Sequence, residues 1–240
     1  MNKLAAVLWN DKDNTNSKLQ LVFALCFPFF TVLALGIDSV YFTETYFDGR
    51  QITNVLALAY FTGFFLSSGD NLRKLMFVMV ALSYIGELIF CKLLGMYEYR
   101  TPMIPLYVPF GHAIVYASGF VYANTIWSIK KEYHLRKYFL WFFAALFLGV
   151  GLLLKDYFSL LFGVLFFWLL KRKKWQNLYC FIALCVIFIE LVGTYFKCWA
   201  WVPNVFDLLP TSNPPMGAVF FYAGGDVLLA KIVKYWDSKS

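Results

Sequence analysis

Four ionisable side chains, Glu87, His112, Glu190 and Asp226, stand inside stretches that are otherwise apolar. A charge at the centre of a membrane helix costs about 2.5–3.5 kcal/mol on insertion scales, so such residues mark a functional site or a buried pair. Carboxyl groups that share a low-dielectric site release their protons at different pH values. One can then protonate an alkene or a carbonyl while an ionised neighbour steadies a cation or takes up a proton. That chemistry requires no cofactor. The chain has two histidines and neither an H-x-x-H nor an H-x-x-x-H pattern, so no metal is expected. Serine-hydrolase, P-loop and dinucleotide motifs are absent as well. The other histidine, His134, falls in a basic loop.

The elements that carry these groups follow from composition. Of 240 residues, 61% are hydrophobic, 21% aromatic and 15% charged, and the mean hydropathy is +0.63. Soluble domains carry about 25% charged residues, and disorder requires low hydrophobicity. The remaining class is a polytopic membrane protein, an all-α bundle forming one domain over 1–240. Apolar runs predict eight transmembrane helices: Leu19 to Val40, Asn54 to Ser68, Leu72 to Leu94, Pro105 to Trp127, Tyr138 to Leu154, Tyr157 to Leu170, Leu178 to Phe196 and Pro215 to Trp236. The second, fifth and sixth are shorter than the usual span, so they extend into flanking polar residues or pack inside the bundle.

Charge orients the bundle. With the N-terminus inside, sixteen of the 21 Lys and Arg fall on the inner side; Arg50, Lys92, Arg100, Lys155 and Lys197 fall outside. Both termini are therefore expected in the cytoplasm, and the expected location is the bacterial inner membrane. The net charge of +7 is spread over short loop runs such as Lys171 to Lys174, which argues against nucleic acid as a partner. The five cysteines are odd in number and form no C-x-x-C pair, so neither a disulfide framework nor a metal cluster is expected. The first apolar run is too long for a signal-peptide core and reads as a retained span. Met1 to Asn10 holds a short apolar patch suited to the membrane surface.

An internal repeat relates the two halves. The segment from Pro109 to Gly119 and that from Pro215 to Gly225 share Pro, Gly, Tyr, Ala and Gly at the same offsets, with Tyr116 matching Tyr222. Upstream, Glu87-Leu88 matches Glu190-Leu191, and each is followed by outer-loop aromatics. The period corresponds to four spans, so the halves, 19–127 and 138–236, have the same orientation and a pseudo-axis along the membrane normal. At about 1.5 Å per residue, Glu87, His112 and Glu190 fall about 10 Å below the outer surface and Asp226 about 16 Å. One outer layer of acids suggests a polar pocket; the competing reading is a set of interhelical hydrogen bonds, or a Glu87–Lys92 pair, that fixes packing.

Tyr97, Tyr99, Trp199 and Trp201 occur where an interfacial aromatic belt is expected, and with Tyr116, Tyr222 and Asn213 they are the candidate substrate-binding residues. Pro210 to Pro215 is a candidate re-entrant turn over the pocket. Gly111, Gly217, Gly224 and Gly225 admit close approach of a helix or a ligand.

A buried glutamate, the G-x-Y-x-Y of Gly95 to Tyr99 and the proline-rich stretch Ile104 to Gly111 resemble membrane carotenoid-biosynthesis proteins of the bacterioruberin hydratase type. Acids set in duplicated apolar halves are similar in layout to heterodimer-type lycopene cyclases and to small integral-membrane terpene cyclases of fungi. Pro-Phe-Gly and Pro-Met-Gly stand where lycopene cyclases carry P-x-E-E. The resemblance implies protonation of an isoprenoid double bond followed by hydration or cyclisation, with Glu87, Glu190 and Asp226 as the acids. The expected function is thus a cofactor-independent membrane enzyme, a lyase or isomerase, acting on an isoprenoid or other lipid. Its expected partners are membrane lipids and a hydrophobic small molecule. The alternative is a proton-coupled permease or a lipid-binding protein without catalysis.

Overall fold

The computed structural model describes residues 17–239. The patch at Met1 to Asn10 and the basic residues Lys3 and Lys12 lie outside the described residues. Helix α1 (Ser17–Ile37) is followed by the short α2 (Val40–Thr45), by α3 (Arg50–Ser67), and by α4 (Asp70–Glu87), which runs on as a π-helical turn, Leu88–Leu93. After β1 (Tyr97–Tyr99) come α5 (Tyr107–Ala123), the short α6 (Ile126–Lys130), α7 (Glu132–Leu153), α8 (Tyr157–Lys171) and α9 (Gln176–Tyr195). The chain ends with β2 (Trp199–Trp201), β3 (Asn204–Val205), β4 (Leu209–Pro210), a 3-10 turn (Met216–Ala218) and α10 (Val219–Asp237).

Each of the eight apolar runs is helical. Five helical stretches are long and apolar enough to cross a membrane: Lys18–Ile37, Asp70–Leu93, Glu132–Leu153, Gln176–Tyr195 and Met216–Asp237. Helix α8 is apolar but short. Helix α5 is almost wholly buried and packs against α1, α3, α4 and α9. Helix α10 packs against α4, α8 and α9.

Local sequence sets several helix starts. Ser39, Thr125 and Asp156 each accept a hydrogen bond from a backbone N–H three residues on, at 3.0, 3.2 and 2.8 Å, which satisfies a donor that the helix itself leaves free. Pro28 lies inside α1, and a proline supplies no N–H to the carbonyl four residues earlier. The Tyr122 hydroxyl donates to that carbonyl, Ala24 O, so α5 is tied to α1 where the helix would otherwise be unsatisfied.

Hydrogen bonds between connections fix the direction of the helices. At one end, Val40 N donates to Phe196 O at 3.2 Å, Arg100 reaches Asp38 and Asp48 at 2.7 Å each, and Ser212 Oγ donates to Asp156 Oδ2 at 2.5 Å. At the other end, Lys74 pairs with Asp237 at 2.5 Å and Asn177 Nδ2 donates to Glu132 O at 3.0 Å. Two small antiparallel pairs, β1 with β2 and β3 with β4, sit among the connections of the first end. The all-α expectation omitted these strands; a three-residue strand whose partner lies a hundred residues away has no local pattern to reveal it.

Candidate functional site

The β1–β2 ribbon builds the site. Tyr97 lies opposite Trp201, Glu98 opposite Ala200, and Tyr99 opposite Trp199. Alternate residues of a strand face the same way, and directly opposed residues share a face. The four rings therefore lie together on one face, while Glu98 and Ala200 are exposed on the other. The ring layer is interlocked: Tyr97 tilts against Trp201 at 4.8 Å and Tyr99 meets Trp199 edge-on at 6.2 Å between centroids.

Beneath that layer are two carboxylates. Glu87 is the last α-helical residue of α4, immediately before the π turn, and Glu190 lies near the end of α9. Both are buried, at 3% and 6% exposure. Glu87 Oε2 accepts from the Tyr97 and Tyr99 hydroxyls at 2.9 and 2.7 Å. Glu190 Oε2 accepts from Nε1 of Trp199 and Trp201 at 2.9 and 3.1 Å. Each carboxylate thus gives one oxygen to a pair of ribbon aromatics and keeps the other for its helical neighbours. Glu87 Oε1 lies 3.0 Å from His112 Nε2 on α5, and Glu190 Oε1 accepts from the Tyr222 hydroxyl of α10 at 3.4 Å. The His112 and Tyr222 rings stack at 5.1 Å, which closes a chain of contacts from one carboxylate to the other. Burial, and next the Glu87 charge, push Tyr97 and Tyr99 well above the ordinary phenol range, so both remain hydroxyl donors.

The carboxylates, His112, Tyr222 and the four ring residues border a cavity of about 180 Å³. The rest of its wall is mostly apolar and comes from α1, α3, α4, α5, α9 and α10, with Phe27, Phe30, Ile114 and Ile189 among the contributors. Two of the repeat glycines, Gly111 and Gly225, lie on this wall, and a Cβ at either would meet nothing within 4 Å. Gly217 differs: a Cβ there would stand 2.8 Å from Ser159 Cα, so its role is helix packing. Gly224 faces open space and is not on the wall.

The remaining candidates lie elsewhere. Asp226 and Tyr116 are buried but not on the cavity wall. They fall where α5, α9 and α10 meet, and Asp226 acts electrostatically on Tyr116, Tyr179 and the loop residue Lys173. The shared depth read from the sequence counted residues along each helix; it did not account for the direction in which Asp226 faces. Asn213 is exposed and braces the ribbon from outside, its Oδ1 accepting from Trp201 N at 3.1 Å. The Pro210 to Pro215 turn contributes no residue to the cavity wall and supports, through Asn213, the ribbon whose rings line it. Lys92 donates to Pro102 O rather than to Glu87.

Two anchors hold the ribbon end, and of these sequence reasoning passed over Asp156. Asp38, 1% exposed, accepts from Arg100 at 2.7 Å and from the Tyr107 hydroxyl at 2.8 Å. Asp156 is held by Ser159 Oγ at 2.6 Å and by Ser212, and Ser159 Oγ in turn accepts from Gly217 N at 2.9 Å. The D-x-x-S spacing at Asp156 is a helix-cap signal that was available in the sequence. Among the described residues, no group of three or more His, Cys, Asp or Glu is placed to hold a metal ion. Comparison with protein-family models, with curated proteins and with solved structures finds no match to this chain.

Proposed function

We propose that this is an integral-membrane enzyme that transforms an isoprenoid or other lipid by carboxylate acid and base chemistry. The observation that carries the reading is the arrangement of Glu87 and Glu190: both border one largely apolar cavity, and each has one oxygen fixed by two ribbon donors and the other turned toward His112 or Tyr222. Indole N–H groups only donate, so Glu190 Oε2 is always an acceptor and any proton on this group sits on Oε1. That proton is the one available to a carbon–carbon double bond. Glu87, hydrogen-bonded to a histidine, forms the complementary base. In a hydration, Glu190 gives its proton to one alkene carbon, water adds to the other, and the Glu87–His112 pair takes the proton that water releases. In a cyclisation or isomerisation, the same base removes a proton from carbon instead. The ring layer offers π faces to a developing cation.

The bundle itself is proposed as eight spans in a parallel four-plus-four repeat, 19–127 and 138–236. The ribbon register supports this, because exchange of Tyr97 with Trp199 and of Tyr99 with Trp201 maps the strand pair onto itself. Helix pairing follows the same exchange, with α5 against α9 and α10 against α4. The sixteen to five division of basic residues supports both termini in the cytoplasm, the ribbon end on the outer face, and the bacterial inner membrane as the location. The resemblance to bacterioruberin hydratase-type proteins fits an isoprenoid substrate. Mass spectrometry of lipids from cells with and without the protein, and with Glu190→Gln, tests the reading. A product that requires Glu190 supports it; identical lipid profiles in all three would overturn it.

A further inference from the structure

On the ribbon side Glu190 Oε2 is held by two indole N–H groups, which donate hydrogen bonds but do not relay protons, so the proton on Oε1 is supplied from another direction. Asp226 is 4% exposed, and its Oδ2 has no hydrogen-bond partner. It lies four residues beyond Tyr222 on α10, about 6 Å further from the ribbon. On the facing helix α5, Tyr116 lies four residues beyond His112 and is within electrostatic reach of Asp226. The groups around Asp226 are Tyr116 on α5, Tyr179 on α9 and Lys173 from the loop between α8 and α9, with Lys231 of α10 acting on Lys173. Lys173 leans inward over the Tyr179 ring at 5.5 Å, which brings an ammonium group from the loop toward the buried acid. The His112–Tyr222 stack joins this region to both carboxylates.

We propose that Asp226 is a proton relay that supplies the paired carboxylates from the end of the molecule carrying Lys173. The inference rests on the acid and base reading of Glu87 and Glu190. In each cycle Asp226 passes its proton, directly or through water, to the Tyr222 hydroxyl oxygen, and Tyr222 releases its own proton to Glu190 Oε1. Asp226, left as a carboxylate facing the Lys173 ammonium, is reprotonated from that end. One proton enters for each one delivered, and the proton that the Glu87–His112 pair takes up leaves on the ribbon side by way of the Tyr97 and Tyr99 hydroxyls, so the site returns to its starting charge. Asp226 touches no substrate and acts through Tyr222, so it is a positioning residue rather than a catalytic one.

The experiment uses the full chain in single-orientation phospholipid vesicles, the orientation checked with a membrane-impermeant thiol dye on Lys130→Cys. An acid pulse is applied to one side, and the carboxyl stretch assigned to Glu190 by its loss in Glu190→Gln is followed by infrared spectroscopy. The band should respond to a pulse on the Lys173 side, Asp226→Asn should slow it by about tenfold or more, and Asp226→Glu should restore it. If Asp226→Asn does not fold, Lys173→Met in the wild-type background should slow the same response. A response to the ribbon-side pulse alone, or a wild-type rate in Asp226→Asn, would overturn the relay. Those outcomes leave the enzyme reading intact, since that reading is decided by the lipid profiles with and without the protein and with Glu190→Gln.

Discussion

Glu87 sits among groups that can both give and take a proton, two phenols and an imidazole, whereas the contacts to Glu190 Oε2 are indole N–H groups that can only give a hydrogen bond. The geometry on the two sides is nearly the same, with two ribbon donors within 2.7–3.1 Å of one oxygen in each case. On the proposed reading, this difference in donor chemistry gives the two carboxylates different proton affinities, so that one serves as acid and the other as base. A strictly symmetric pair would give two groups of equal proton affinity, which is a poor basis for directional transfer.

The largest expected effect separates those roles. Glu190→Gln keeps shape and hydrogen bonding but removes the proton, so lipid conversion should fall by about a hundredfold or more. Glu87→Gln should cost less, because His112 remains to accept a proton. Product yields from the two variants, measured in the same membranes, check the order; an equal loss would mean that the sides are not specialised.

Removing the ribbon donors tests the same comparison through stability. Trp199→Phe with Trp201→Phe leaves Glu190 only the 3.4 Å contact from Tyr222, while Tyr97→Phe with Tyr99→Phe leaves Glu87 its 3.0 Å contact with His112. A buried polar group left unsatisfied costs about 1–3 kcal/mol, so the tryptophan pair should lower the unfolding temperature in detergent by more than the tyrosine pair. The reverse order would show that ring packing, not hydrogen bonding, holds the ribbon.

The repeat glycines offer a further contrast between equivalent positions. A Cβ at Gly119 would stand 2.7 Å from Ile182 Cα and push α5 away from α9, whereas one at Gly225 would meet nothing within 4 Å. Gly119→Ala should therefore destabilise by about 1–3 kcal/mol. Gly225→Ala should leave the unfolding temperature unchanged, and Gly225→Leu should reduce uptake of a lipid ligand by filling the cavity. Equal melting of the two alanine variants would count against the close α5–α9 contact.

The helices were legible because runs such as Gln176 to Tyr195 are apolar for a full membrane crossing, and Glu87 and Glu190 could be singled out together because each stands in an apolar run and is followed by leucine. Two facts were not legible. Whether Asp226 faces the cavity depends on the rotation of α10 against α5 and α9, which a residue count along one helix does not specify. That Tyr97 and Trp201 are partners depends on a strand pairing across a hundred residues, and aromatic residues at that depth fit a membrane belt equally well by type alone. Position along a helix is local information, whereas the direction in which a side chain faces is set by long-range packing.

The smallest effect concerns how the ribbon is fastened. On the Glu87 side, Arg100 follows β1 directly and pairs with Asp38 and Asp48, whereas the corresponding fastening on the Glu190 side is Asp156 with the hydroxyls of Ser159 and Ser212. The Arg100 hydrogen bond holds the Asp48 carboxyl below its ordinary range, against the opposing effect of burial. A carboxylate whose pKa is lower in the folded than in the unfolded protein adds stability above the unfolded value and loses it as pH falls toward the folded one. The window therefore opens at about pH 4, the usual aspartate value, and extends below it. Asp48 is about half exposed, with a side-chain exposure of 49%, so solvent screening keeps its share small. Asp48→Asn should flatten the acid limb of the unfolding temperature below about pH 4 and leave the neutral plateau almost unchanged. An acid limb as steep as that of the wild type would remove Asp48 from the fastening and leave Arg100 to Asp38 alone.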